Sequence, residues 1–115
     1  IAEPNVWAAV ASQPSLPARD QSALHMSPAE IAASRAALDA KGAMRAYRFE
    51  GDPLCTAAKF EAIDAAFNDG GVHVVTNVLP GRGHSLFTGH YDDTLGSPTA
   101  NAMSGVIAYL RAQLT

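Results

Sequence analysis

The sequence predicts an α/β fold, a three-layer β-α-β-α-β-α unit on a small parallel sheet, and three observations predict it. Short apolar or β-branched runs of strand length alternate with longer alanine-rich or amphipathic segments of helix length. The stretches between strands are long enough for helical crossovers, the connections that join parallel strands. Clusters of Pro, Gly, Asn and Asp mark the junctions. The 115 residues suit one domain spanning 1–115, and 48% hydrophobic with 17% charged residues is enough to bury a core.

Each element follows from its residues. Pro4, Pro14 and Pro17 leave room for one element before Met26. Val6-Trp7-Ala8-Ala9-Val10-Ala11 is an apolar run of strand length, stopped by Ser12-Gln13-Pro14, with Trp7 expected in the core. Ser15 to Met26 reads as a polar loop. Ser27-Pro28-Ala29-Glu30 is a capping box with proline at the first helical position, so a helix starts here. Ile31 and Leu38 carry it to Lys41, and Gly42 supplies a left-handed stop. Ala43 to Phe49 is the second strand, broken by Glu50-Gly51-Asp52-Pro53. Phe60, Ile63 and Phe67 recur at helical spacing within Thr56 to Asn68, with Glu61 and Asp64 on the other side. Asp69-Gly70-Gly71 ends that helix, and Val72 to Leu79 is the third strand. A polar loop runs from Pro80 to Pro98. The last helix, Thr99 to Leu114, has Met103, Val106, Ile107, Leu110 and Leu114 as its apolar stripe.

In an open parallel sheet the functional groups gather beyond the C-terminal ends of the strands. That rule singles out Asp52, after the second strand, and His84, after the third. A carboxylate beside an imidazole is what an acyl-transfer site uses: the carboxylate fixes the histidine tautomer, and the histidine moves the proton of a nucleophile. The bland alternative makes Asp52 a helix or turn cap and His84 a solvated loop histidine.

Four stretches carry a resemblance over the whole chain: Ser12-Gln13-Pro14-Ser15-Leu16-Pro17, the Ser27-Pro28 helix, Phe49-Glu50-Gly51-Asp52-Pro53-Leu54-Cys55 and Gly81-Arg82-Gly83-His84-Ser85-Leu86-Phe87-Thr88. In this order and spacing they resemble the C-terminal half of an α/β-hydrolase of the dienelactone-hydrolase-like family. The resemblance implies that the strands are the last three of that sheet, and that Asp52 is the acid and His84 the histidine of a triad. It also implies a small-molecule ester or lactone as substrate. The departure is the nucleophile, because no Gly-x-Ser-x-Gly or Gly-x-Cys-x-Gly turn is present. Ser85 lies in the histidine loop and Ser104 inside the last helix. Cys55 falls at a helix start, where the dipole would lower its pKa, although buried structural cysteines are commoner.

Other signals are weaker. His84, His90, Asp92 and Asp93 crowd one loop without matching a zinc spacing, and no cofactor motif is present. A net charge of −3 and scattered arginines argue against nucleic acid, and no apolar run has membrane-spanning length. His25 and His73 read as structural or solvated. The single cysteine excludes an internal disulfide and, with no leader pattern, points to the cytoplasm. The chain opens on Ile1 rather than methionine, which points to processing, truncation or excision from something longer. The sequence supports two function classes. One is part of a hydrolase, inactive without a nucleophile. The other is a non-catalytic assembly or binding module that pairs with a second copy or a partner chain across the Val6–Val10 edge.

Overall fold

Ser27 opens the first helix as its sequence predicts. Its Oγ accepts from the Glu30 N–H at 3.2 Å, and Glu30 Oε2 accepts from the Ser27 N–H at 2.7 Å. In the computed structural model, which describes residues 1–115, the order is β1 (Val10–Ser12), α1 (Pro28–Lys41), β2 (Met44–Phe49), α2 (Ala57–Phe67), β3 (Val74–Leu79) and α3 (Pro98–Leu114). Gly42 ends α1 with φ 94° and ψ 162°, a positive φ but an extended ψ in place of the expected left-handed turn. Ser97 caps α3 by accepting from the Ala100 N–H at 3.1 Å, with Pro98 in the first turn. No helix is long and apolar enough to cross a membrane.

The three strands form one parallel sheet in the order β1-β2-β3, with Val10 opposite Arg45, Met44 opposite Val74 and Phe49 opposite Leu79. Side chains alternate across a strand, so Ala46 faces one side of the sheet and Tyr47 and Phe49 the other. On the first side Ala46 and Val74 pack with Leu38 of α1 and Phe60, Ile63 and Phe67 of α2. On the second, Tyr47, Phe49 and Leu79 pack with Leu86 and with Val106 of α3. The result is the three-layer α/β arrangement the sequence predicts.

Three expectations are corrected. The first strand is Val10–Ser12 rather than Val6–Ala11. Val6 is held in a turn by its N–H to Glu3 O at 3.1 Å, and pairing begins only where Arg45 N–H donates to Ala9 O at 3.2 Å. Alanines have little strand preference of their own, so the parallel neighbour decides the position. Trp7 is 67% exposed and lies outside the core. The apolar stripe of α3 is also turned: Val106 and Tyr109 are buried, while Ile107, Leu110 and Leu114 are exposed. Tyr109 orients the helix. Its hydroxyl accepts from the Ala9 N–H at 3.3 Å, and the Arg45 guanidinium lies 5.1 Å over its ring.

Candidate active site

Parallel strands end on one rim, and two glycine-containing loops continue beyond it side by side. Glu50 N–H donates to Leu79 O at 2.7 Å, and Gly51 N–H donates to Gly81 O at 2.9 Å. Glycine is required at 51, because a Cβ there would stand 2.9 Å from Arg82 Cγ and 3.1 Å from Gly81 O. This close approach brings the residue after each turn to a common point.

Asp52 and His84 meet there. His84 Nδ1 is 2.7 Å from Asp52 Oδ2, while Asp52 Oδ1 accepts from the Leu54 N–H at 2.7 Å and the Cys55 N–H at 3.1 Å. The Asp52 side chain is fully buried, and that of His84 keeps 26% of its surface exposed. A carboxylate whose oxygens already accept two backbone N–H groups takes a third from the imidazole, so Nδ1 carries hydrogen. Nε2 makes no hydrogen bond to the protein and is left with its lone pair on the exposed side of the pair. Asp52 thus caps its own turn and also contacts the His84 ring.

The remaining residues of the two loops have other work. His90 Nδ1 accepts from the backbone N–H groups of His84 at 3.1 Å and Ser85 at 2.9 Å. Asp92 Oδ1 accepts from the Thr94 N–H at 2.9 Å, and the Thr94 hydrogen bonds hold its carboxyl below the usual range. No three His, Cys, Asp or Glu side chains come together as a metal would require. Ser104 Oγ donates to Ala100 O at 3.2 Å within α3, away from the rim.

Cys55 departs from the dipole argument. It is completely buried two residues before α2, and burial followed by the adjacent Asp52 charge pushes its thiol up to about 11. The Arg48 and Lys59 charges act in the opposite direction and are outweighed. A protonated buried thiol is not a nucleophile.

Sequence reasoning missed two polar anchors, Lys59 and Arg48, and left a third, His73, as structural or solvated. Lys59 is fully buried and donates to Leu16 O at 2.7 Å and also to Ala23 O, tying the loop before α1 to α2. Its pKa is lowered by burial. Arg48 is buried on the α2 side, with its guanidinium 5.4 Å over the Phe60 ring. Its Nη1 donates to Phe49 O at 3.0 Å and Glu50 O at 3.1 Å, bracing the turn that carries Asp52. His73 joins Asp39 of α1 at 2.7 Å and Phe67 O of α2 at 2.5 Å. The Lys59 contacts and the His73–Asp39 contact join residues remote in sequence, and the Arg48 bonds to the neighbouring Phe49 and Glu50 carbonyls depend on the turn that follows β2, so local spacing marks none of them.

No protein-family model, curated protein or solved structure matches the chain. Cavities of about 340 and 580 Å³ flank the sheet, and neither Asp52 nor His84 lines them.

Proposed function

We propose that these residues are the acid–histidine portion of an α/β-hydrolase that cleaves an ester or lactone, acting in the cytoplasm. The observation that carries this reading is the 2.7 Å contact between buried Asp52 and His84 Nδ1, with Nε2 unoccupied. In the proposed reaction Nε2 removes the proton from a serine or cysteine as that atom attacks the substrate carbonyl. Asp52 stabilises the imidazolium that forms, and the imidazolium returns the proton to the departing alkoxide. Water, losing its proton to His84, then attacks the acyl intermediate; the acyl bond to the serine or cysteine breaks, the imidazolium returns the proton to that side chain, and the acid is released. The nucleophile and its oxyanion hole come from polypeptide outside these 115 residues, so the chain by itself is inactive. The resemblance of the Gly51-Asp52-Pro53 and Gly81-Arg82-Gly83-His84-Ser85 turns to dienelactone-hydrolase-like proteins supports the assignment.

The test is ester turnover. A polypeptide that joins these residues to an upstream Gly-x-Ser-x-Gly or Gly-x-Cys-x-Gly segment should hydrolyse p-nitrophenyl esters. His84→Ala should lower kcat by about 10³-fold or more, from the magnitudes seen when a triad member is lost. Turnover unaffected by His84→Ala refutes the reading, and turnover by the 115 residues alone that disappears in Asp52→Asn and His84→Ala overturns the claim of inactivity.

A second reading, a non-catalytic assembly module, is favoured by one observation. Ala9 O and Gln13 N–H bond to β2, so on strand alternation the backbone groups of Val10 and Ser12 face away from the sheet. The outer edge of β1 is therefore open, and a second copy of the chain pairing there would close it. The edge is Val10–Ser12 rather than the Val6–Val10 segment expected from the sequence. Val10→Pro removes an outward N–H and leaves the pairing with β2. A dimer by sedimentation that this substitution dissolves supports the second reading, and a monomer at all concentrations rejects it.

A further inference from the structure

The loop that carries His84 closes on itself through an imidazole that the proposed mechanism does not use. His90 Nδ1 is the common acceptor of two consecutive backbone N–H groups, those of His84 at 3.1 Å and Ser85 at 2.9 Å. The closure is reciprocal, because His90 N–H donates to Ser85 O at 2.9 Å. His90 is exposed, and one side of its side chain rests against Gly83. A Cβ at Gly83 would lie 2.9 Å from His90 Cβ and Cγ and from Phe49 Cε2, so the backbone before His84 lies directly against this side chain. Phe49 is the last residue of β2 and is buried. Gly83 thus lies close to both His90 and Phe49 of β2, while the His90 hydrogen bonds close the loop onto the His84 and Ser85 backbone.

Two donors converging on one nitrogen demand a lone pair there. Nδ1 of His90 carries no hydrogen, and a neutral ring keeps its hydrogen on Nε2. The two histidines of this loop hold opposite tautomers: His84 has Nδ1–H toward Asp52, and His90 has Nε2–H with Nδ1 accepting. Protonating Nδ1 of His90 would set a third N–H against the two that now converge on it.

We propose that His90 is a positioning residue, a neutral imidazole latch whose Nδ1 holds the His84 backbone so that the His84 ring meets Asp52. Its catalytic meaning rests on the hydrolase reading, and the latch itself does not. The role is specific to an acceptor at the Nδ1 position. Asparagine places Oδ1 at nearly the same distance from the backbone and keeps the latch, whereas phenylalanine keeps a ring against Gly83 and loses it.

The test begins with the unmodified chain, so it does not depend on a variant folding. ¹⁵N NMR of the side chains should show an unprotonated Nδ1 for His90 and a protonated Nδ1 for His84 near neutral pH. A protonated Nδ1 on His90 overturns the proposal. In His90→Phe, amide exchange at His84 and Ser85 should quicken about tenfold, the size expected from losing one ordinary hydrogen bond at each. His90→Asn should restore it to within about threefold, on the same scale of a partly retained bond. Unchanged exchange in His90→Phe, or no restoration in His90→Asn, refutes the latch. In an active polypeptide the same pair should show a fall and a recovery of kcat at constant KM, since misplacing a catalytic group costs rate rather than ground-state binding. NMR agreement without any change in kcat retains the backbone latch and refutes its role in positioning His84 for catalysis, while the hydrolase reading is decided separately by His84→Ala. A fall in KM-linked binding with kcat intact refutes the positioning role.

Discussion

Replacing Asp52 by alanine strips three N–H groups of their acceptor: those of Leu54, Cys55 and His84 Nδ1. Their exposures set the size of the effect. Cys55 is fully buried and its N–H has no route to water, which costs about 1–3 kcal/mol. Leu54 is 53% exposed, so solvent compensates most of its loss. The His84 ring, a quarter exposed, loses the net value of a charged hydrogen bond, about 1–2 kcal/mol. The sum is about 2–5 kcal/mol, a large fraction of the roughly 5–15 kcal/mol that holds a domain folded. Asp52→Asn keeps Oδ1 for Leu54 and Cys55 and turns an amide toward His84, which accepts in its other tautomer. It should cost no more than about 1–2 kcal/mol, the share of the His84 contact alone. Urea unfolding followed by far-UV circular dichroism measures both, because Trp7 is too exposed to report the core. With a slope of about 1–1.5 kcal/mol per molar urea, the Asp52→Ala midpoint should fall by about 2 M. A fall of less than about 0.5 M on that slope, or equal effects of Asn and Ala, would refute the view that this carboxylate anchors its loop.

Four further outcomes follow from three residues. Cys55 in the folded chain should not react with a disulfide reagent at pH 8, and labelling should track unfolding; rapid stoichiometric labelling contradicts its burial. Because the folded thiol holds its proton up to about 11, against an ordinary 9.0, its contribution to stability is complete below pH 9 and declines as pH rises toward 11, which midpoints at pH 8 and 10.5 will show. Gly83→Ala should cost about 1–3 kcal/mol, the usual penalty of overpacking, and shift the His84 and His90 resonances, since its Cβ meets His90 and Phe49 at 2.9 Å. Ser27→Ala should lower stability by about 1 kcal/mol, the value of an N-cap, without disturbing either histidine.

The parts of the molecule that were legible in the sequence are those decided within a few residues. The capping box at Ser27 and the proline at 28 place the start of α1 to the residue, and the breaks at Glu50–Pro53 and Asp69–Gly71 bound β2, α2 and β3. The rim positions of Asp52 and His84 follow from strand order and parallel direction together, so their proximity is a consequence of topology. What was not legible depends on partners. The position of β1 is set by pairing with Arg45 to Tyr47, not by the apolarity of Val6 to Ala11. The rotation of α3 is set by Tyr109 reaching Ala9, so the stripe with the highest hydropathy does not face the sheet. Arg48 and Lys59 are buried because backbone carbonyls at loop ends accept from them, an arrangement with no signature in spacing. His90 carried a signal, its crowding with His84, but the crowding reflects a backbone latch rather than a metal site.

The central claim, that Asp52 and His84 are joined as an acid and a base with Nε2 left free, is tested most directly by ¹⁵N NMR of the His84 ring near neutral pH. The expected result is a protonated Nδ1 with a strongly downfield, slowly exchanging hydrogen that disappears in Asp52→Ala. A His84 ring with its hydrogen on Nε2, unchanged when Asp52 is replaced, would contradict it.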